Sequence, residues 1–167
     1  GGPRFASQGT LNSWFPGMTP RRLPVGMGRL VPSGSDIVAE IHYVATGKPE
    51  RDCSKIGLYF THRSARKLVV EVQVGNKQIN IPGGEPRHQE RATYTVPVNT
   101  TLIDIIPHMH VLGREIKVWT RAPDGTAKPL LWIKDWDFYW QGQYSFAKPV
   151  RLRKGTRIIV DAWYDNS

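Results

Sequence analysis

The sequence predicts an all-β protein, an antiparallel β-sandwich of the jelly-roll kind, and three observations lead there. Runs rich in β-branched and aromatic residues recur between turn signals, at the spacing of short strands. The 16 glycines and 13 prolines are dispersed along the chain. Pro removes a backbone donor and Gly weakens helix interiors, so this usage suits strands and turns better than long helices. No stretch shows convincing helical periodicity.

Residues 1 to 35 carry Gly and Pro at short intervals, from Pro16-Gly17 to Gly34, and read as loop with short extended pieces. Asp36 to Ala45 then alternates: Ile37, Ala39, Ile41 and Tyr43 share one face, and Val38, Glu40, His42 and Val44 the other. Gly47-Lys48-Pro49 ends that strand. Ile56 to Thr61 and Lys67 to Val74 follow, the second closed by Gly75-Asn76. After Pro82-Gly83-Gly84 come Arg91 to Val98, Leu102 to His110 and Glu115 to Arg121, then the turn Pro123-Asp124-Gly125. Leu130 to Lys134, Gln143 to Phe146 and, past Lys154-Gly155, Arg157 to Tyr164 complete the set. There is no internal repeat and no low-complexity segment.

A chain of 167 residues with 40% hydrophobic and 22% charged residues can bury a real core, and wholesale disorder is excluded. The formal charge of +9 raises nucleic-acid binding, which requires the charge to concentrate on one face. Arg and Lys instead recur singly, with small clusters at Arg63-Arg66-Lys67 and Arg151-Arg153-Lys154-Arg157, so no nucleic-acid partner is expected. A basic surface also fits anionic membranes or polysaccharides, and the sequence does not choose between them.

Cys53 is the only cysteine, so no disulfide forms within these residues, and its partner is either outside them or absent. No apolar run approaches the length of a membrane span. Gly-Gly-Pro-Arg at the start is not a signal peptide, and Asp165-Asn166-Ser167 follows abruptly on an apolar strand. The expectation is a piece of a longer protein, with further parts on both sides.

Of the five histidines, only His108 and His110 are spaced to cooperate locally. Residues two apart in a strand project from the same face with Cα atoms about 6.5 Å apart. Two neutral imidazoles there can converge on Cu, Zn, Fe or Ni, whereas Ca and Mg prefer oxygen. Met109 projects to the opposite face. The plain alternative is two histidines on a solvated strand face. Pro107 holds Ile106 extended and Gly113 permits a sharp turn, so the pair sits where a rigid strand end feeds a loop.

Pro107-His108-Met109-His110-Val111-Leu112-Gly113 resembles the His-x-His-x-Leu-Gly element of the copper type II, ascorbate-dependent monooxygenases. That family includes peptidylglycine α-hydroxylating monooxygenase and dopamine β-monooxygenase. Asp36 to Tyr43 is similar to the family's strand ending in His-Tyr, and Asp52-Cys53-Ser54 to the segment that follows it. Trp136 to Phe146, the Lys154-Gly155 turn and Tyr164-Asp165-Asn166-Ser167 look like the bacterial branch. The resemblance spans nearly the whole chain.

The resemblance implies two β-sandwich domains side by side, each supplying the ligands of one copper. Residues 1–50 would be the end of the first domain and its linker. Residues 51–167 would be the C-terminal copper domain without its last strands. His108 and His110 match the two histidines of the oxygen-activating copper, whose third ligand, a Met, would lie downstream of Ser167. Met18 and Met27 have no counterpart in that motif. His42 matches the last of three histidines on the electron-transfer copper, the other two preceding Gly1. His62 and His88 match no ligand and are expected at the surface. An Arg that clamps the peptide carboxylate in the peptide-hydroxylating enzyme is replaced by Ile106, which cannot form a charge-assisted pair. Peptidylglycine is thereby disfavoured, and the substrate, small-molecule or peptide-like, is otherwise undetermined.

The activity implied is hydroxylation of an aliphatic C–H by O₂, with ascorbate or another one-electron donor cycling copper between Cu(I) and Cu(II). No catalytic side chain beyond the metal ligands is needed. This piece alone is expected to be inactive, and the location periplasmic or secreted. The other reading is a non-catalytic β-sandwich module that binds carbohydrate or protein. Trp132, Trp136, Phe138, Tyr139, Trp140, Tyr144 and Phe146 could give it a stacking platform. Alternation of Trp136, Phe138 and Trp140 on one strand face favours a core role for them instead.

Overall fold

The computed structural model describes residues 9–15, 18–19, 22–62 and 64–167. They fall into two compact units, one drawn from residues 9–11 and 22–71, the other from 12–19 and 72–167.

In the first unit, β1 (Met27–Gly28) pairs in parallel with β2 (Lys67–Leu68), Met27 opposite Lys67. The expected strands Asp36 to Ala45 and Ile56 to Thr61 are not formed, and Lys67 to Val74 pairs only at its first two residues. Every described residue from Leu30 to His62 is exposed, Ile37, Ile41 and Tyr43 included. Alternation gives a segment two faces, but a strand also needs a ladder partner and something to bury its apolar face against. Neither is present here among the described residues.

The second unit holds the other six strands, and all their pairings are antiparallel. These are β3 (His88–Thr95), β4 (Thr100–Ile105), β5 (Gly113–Arg121), β6 (Ala127–Ile133), β7 (Tyr144–Leu152) and β8 (Arg157–Tyr164). One sheet runs β3-β8-β5-β6, and β4 pairs with β7. The last strand in sequence is therefore central, bonded to β3 on one side and β5 on the other. No helix occurs among the described residues, as expected of an all-β chain.

Burial follows strand alternation. Along β5, Ile116, Val118 and Thr120 are buried, while Glu115, Lys117, Trp119 and Arg121 form the other face. Two apolar clusters result. Met109, Ile116, Trp136, Ala162 and Tyr164 form one, with Ile81, Ile133 and Val160 against it. Val96, Val150 and Leu152 form the other, where side chains of β4 and β7 meet Tyr94, Leu130 and Ile158 of the larger sheet. The Trp136 indole N–H is buried in the first cluster without a hydrogen-bond partner among the described residues.

Trp136, Phe138 and Trp140 do not share an inward strand face. Trp136 is buried, Phe138 is half-buried and Trp140 is exposed, on a chain of bends and turns. Trp140 N–H donates to the Asp137 carbonyl at 3.1 Å, and the Asp137 carboxylate accepts from Tyr139 N–H at 2.8 Å. Asp137 thus caps a tight turn that breaks the strand periodicity.

Candidate metal centre

The ladder of β4 stops at Ile105, so the expected strand to His110 ends five residues early. Pro107 has no N–H to donate, and it is buried. Alternation nevertheless persists through the irregular segment. Pro107 and Met109 point inward, and His108 and His110 are exposed. Met109, only 3% exposed, is part of the core cluster. The side of the chain opposite the imidazoles is its attachment to the core.

The segment is fastened again just downstream. Gly113 N–H donates to the His110 carbonyl at 2.9 Å, closing a tight turn over Val111 and Leu112. The Leu112 carbonyl accepts from Asp165 N–H at 2.9 Å, tying the turn to the residue after β8. Gly113 is required here by close approach. A Cβ on it would lie 2.8 Å from Met109 Cβ and 3.1 Å from the His110 carbonyl oxygen.

The His108 and His110 rings stand 5.0 Å apart, centroid to centroid, at an interplanar angle of 85°. His108 Nδ1 is 2.6 Å from Gln141 Oε1, and Gln141 Nε2 donates to the Phe138 carbonyl at 2.9 Å. This chain of bonds orients the His108 ring and leaves its Nε2 for another partner. Phe138 meets His110 edge-on at 6.4 Å, and Tyr139 meets Phe138 at 5.4 Å. Phe138 and, behind it, the exposed Tyr139 thus put aromatic surface beside the His110 imidazole.

The donor set fits copper. Neutral imidazole is a good copper ligand, and metal–nitrogen bonds of about 2 Å let two rings some 5 Å apart share one ion. An acceptor on the distal nitrogen is what a ligating histidine ordinarily carries. No group of three His, Cys, Asp or Glu able to hold a metal occurs among the described residues, so the pair is a two-donor corner.

His42 lies in the first unit, exposed, with its Nε2 2.9 Å from Glu40 Oε1. The two side chains are two residues apart and on one side, as the alternation predicts. His62 is at the surface. His88, also expected there, is half-buried in β3, where its Nε2 lies 2.9 Å from Glu90 Oε1. Asn76 Nδ2 donates to the other Glu90 oxygen at 2.9 Å. Gln141 is the residue that sequence reasoning missed. It is 33 positions from His108, and no spacing signals that contact.

No protein-family model, curated protein or solved structure matches the chain. The functional reading therefore rests on the residues and their arrangement.

Proposed function

We propose that His108 and His110 bind copper, and that the chain is a domain of a copper-dependent monooxygenase of the ascorbate-dependent type II class. In this reading the β3-β8-β5-β6 sheet and the β4-β7 pair are the two layers of an antiparallel sandwich. The observation that carries the proposal is the corner itself. Two exposed imidazoles stand 5.0 Å apart on a segment anchored through Met109, with His108 oriented by Gln141.

Bound copper would supply the one-electron chemistry by which O₂ hydroxylates an aliphatic C–H, with ascorbate or a similar donor as reductant. The chain's own residues then have separable tasks. His108 and His110 donate imidazole nitrogen, and Gln141 fixes one ring. Phe138 and Tyr139 present an apolar rim to substrate. Ile106 leaves no guanidinium for a peptide carboxylate, which disfavours peptidylglycine as the substrate. His42 would serve a second, electron-transfer copper, and the setting would be periplasmic or secreted.

Anaerobic Cu(I) titration against a chromophoric chelator tests the proposal, comparing wild type with His108→Ala/His110→Ala. The wild type should hold one Cu(I) that the double variant, equally folded by circular dichroism, does not. Equal, weak binding by both would end the copper reading.

A further inference from the structure

Arg114 stands where β5 loses its register with β8. Gly113 and Glu115 of β5 oppose Tyr164 and Trp163, consecutive residues of β8, so Arg114 is the extra residue of a bulge. Its carbonyl accepts from Trp136 N–H, outside the ladder, at 2.8 Å. The bulge also redirects the side chain. Ile116, Val118 and Thr120 face inward, and unbroken alternation would send Arg114 toward the core with them. Its side chain is instead about half exposed.

The redirected guanidinium lies against the turn that follows His110. Arg114 Nη1 donates to the Val111 carbonyl at 3.0 Å and to the Gly113 carbonyl at 3.1 Å. Arg114 Nε lies 3.5 Å from Asp165 Oδ2. The other carbonyls of the turn are held as well, that of His110 by Gly113 N–H and that of Leu112 by Asp165 N–H. Every carbonyl from His110 to Gly113 therefore has a donor, and Arg114 serves two of the four. The two imidazoles are fixed by different means. Gln141 holds the His108 ring directly. The His110 ring makes edge contacts with His108 and Phe138 and no hydrogen bond among the described residues. Its placement depends on its backbone.

We propose that Arg114 is the positioning residue of His110, clamping the turn so that the exposed ring keeps its place against His108. Its effect on metal affinity rests on the copper reading of the pair, but its hold on the ring does not. A half-exposed ion pair at 3.5 Å contributes little stability by itself, so the charge opposite Asp165 is the lesser part. The planar guanidinium presents its donors in a fixed fork and holds two carbonyls and faces a carboxylate at once. A lysine ammonium, one point on a flexible stem, does not reproduce that span. Without the clamp the turn keeps its Gly113 and Asp165 bonds, and the ring that it carries is free to sample other orientations.

NMR of the metal-free full chain, with Cu(I) competition against a chromophoric chelator, tests the proposal on wild type, Arg114→Ala and Arg114→Lys. Arg114→Ala should lose the cross-relaxation between the His110 and Phe138 rings, while His108 keeps the wild-type tautomer that its Gln141 bond sets. Its Cu(I) affinity should fall about tenfold, the lower end of what partners behind a metal ligand contribute. Arg114→Lys keeps the charge opposite Asp165 and should still behave as Arg114→Ala does; it decides the matter if Arg114→Ala does not fold. Wild-type His110–Phe138 cross-relaxation in Arg114→Ala would overturn the proposal. So would its recovery in Arg114→Lys, which would assign the effect to charge alone. Loss of the His108 tautomer together with the His110 contact would overturn it too, because a general loosening of the fold does that. A wild type that holds no Cu(I) would end the copper reading, and the metal-free signals would still decide the role of Arg114.

Discussion

The imidazoles of His108 and His110 stand 5.0 Å apart and at 85°, although the segment that carries them belongs to no strand. Their spacing is held from behind, by Met109 in the core and by the turn that Gly113 closes on the His110 carbonyl. This construction makes the corner sensitive to residues that never touch a metal.

Met109→Ala tests the anchor. Removing a buried Met side chain costs about 2–5 kcal/mol, and the cavity here would lie directly beneath the imidazoles. The urea midpoint should fall accordingly, and Cu(I) affinity should fall with it in the variant that remains folded. Unchanged affinity would mean that the turn alone positions the rings.

Gly113→Ala probes the same arrangement by crowding. The added methyl would approach Met109 Cβ to 2.8 Å and Met109 Cε to 3.0 Å, so the turn or the core must shift. Overpacking of this kind costs about 1–3 kcal/mol. Denaturant unfolding should show that loss. Wild-type stability would show that the segment yields freely and does not hold the rings.

Gln141→Ala removes the acceptor at His108 Nδ1 and should weaken Cu(I) binding about tenfold, the lower end of what such partners contribute. Gln141→Glu restores an acceptor and should recover the affinity, measured by the same chelator competition. Wild-type affinity in Gln141→Ala would remove Gln141 from the site.

The sequence was most legible where local pattern and tertiary pairing agree. The six strands of the second unit lie where β-branched runs and turn residues put them, with most ends within three residues, but β4 stops five residues short of His110 and β7 runs six past Phe146. Gly125, at φ +88° in the turn after β5, supplies a conformation that the Pro123-Asp124-Gly125 signal announces. The pattern misleads at Asp36 to Ala45, because alternation is a local property and a ladder is not. It misleads again at Trp136 to Trp140, where Asp137 turns the chain before a strand can form. The His pair was visible from spacing alone. Its Gln141 partner, and the bulge that turns Arg114 outward, depend on which strands become neighbours. With β8 between β3 and β5, that order is not written in any short window.

Asp161 provides a pH test of the larger sheet. Its side chain is 5% exposed and accepts from Arg91 at 2.5 Å and Trp119 at 2.8 Å. Burial pushes the carboxyl up, but the bonds from Arg91 and Trp119 and the Arg91 charge outweigh it, and the net shift is downward. A depressed folded-state value means that the unfolded chain binds the proton more readily. The stabilisation is therefore complete above the unfolded value, about 3.9, and is lost as pH falls through the folded one. Arg91 is more than half exposed, so solvent screening limits the loss to about 1–2 kcal/mol. Asp161→Asn keeps an acceptor for Trp119 but cannot neutralise Arg91. It should be less stable than wild type from pH 5 to 7, and the two urea midpoints should converge below pH 4. Parallel curves down to pH 3 would show that the Asp161 charge contributes nothing to the fold.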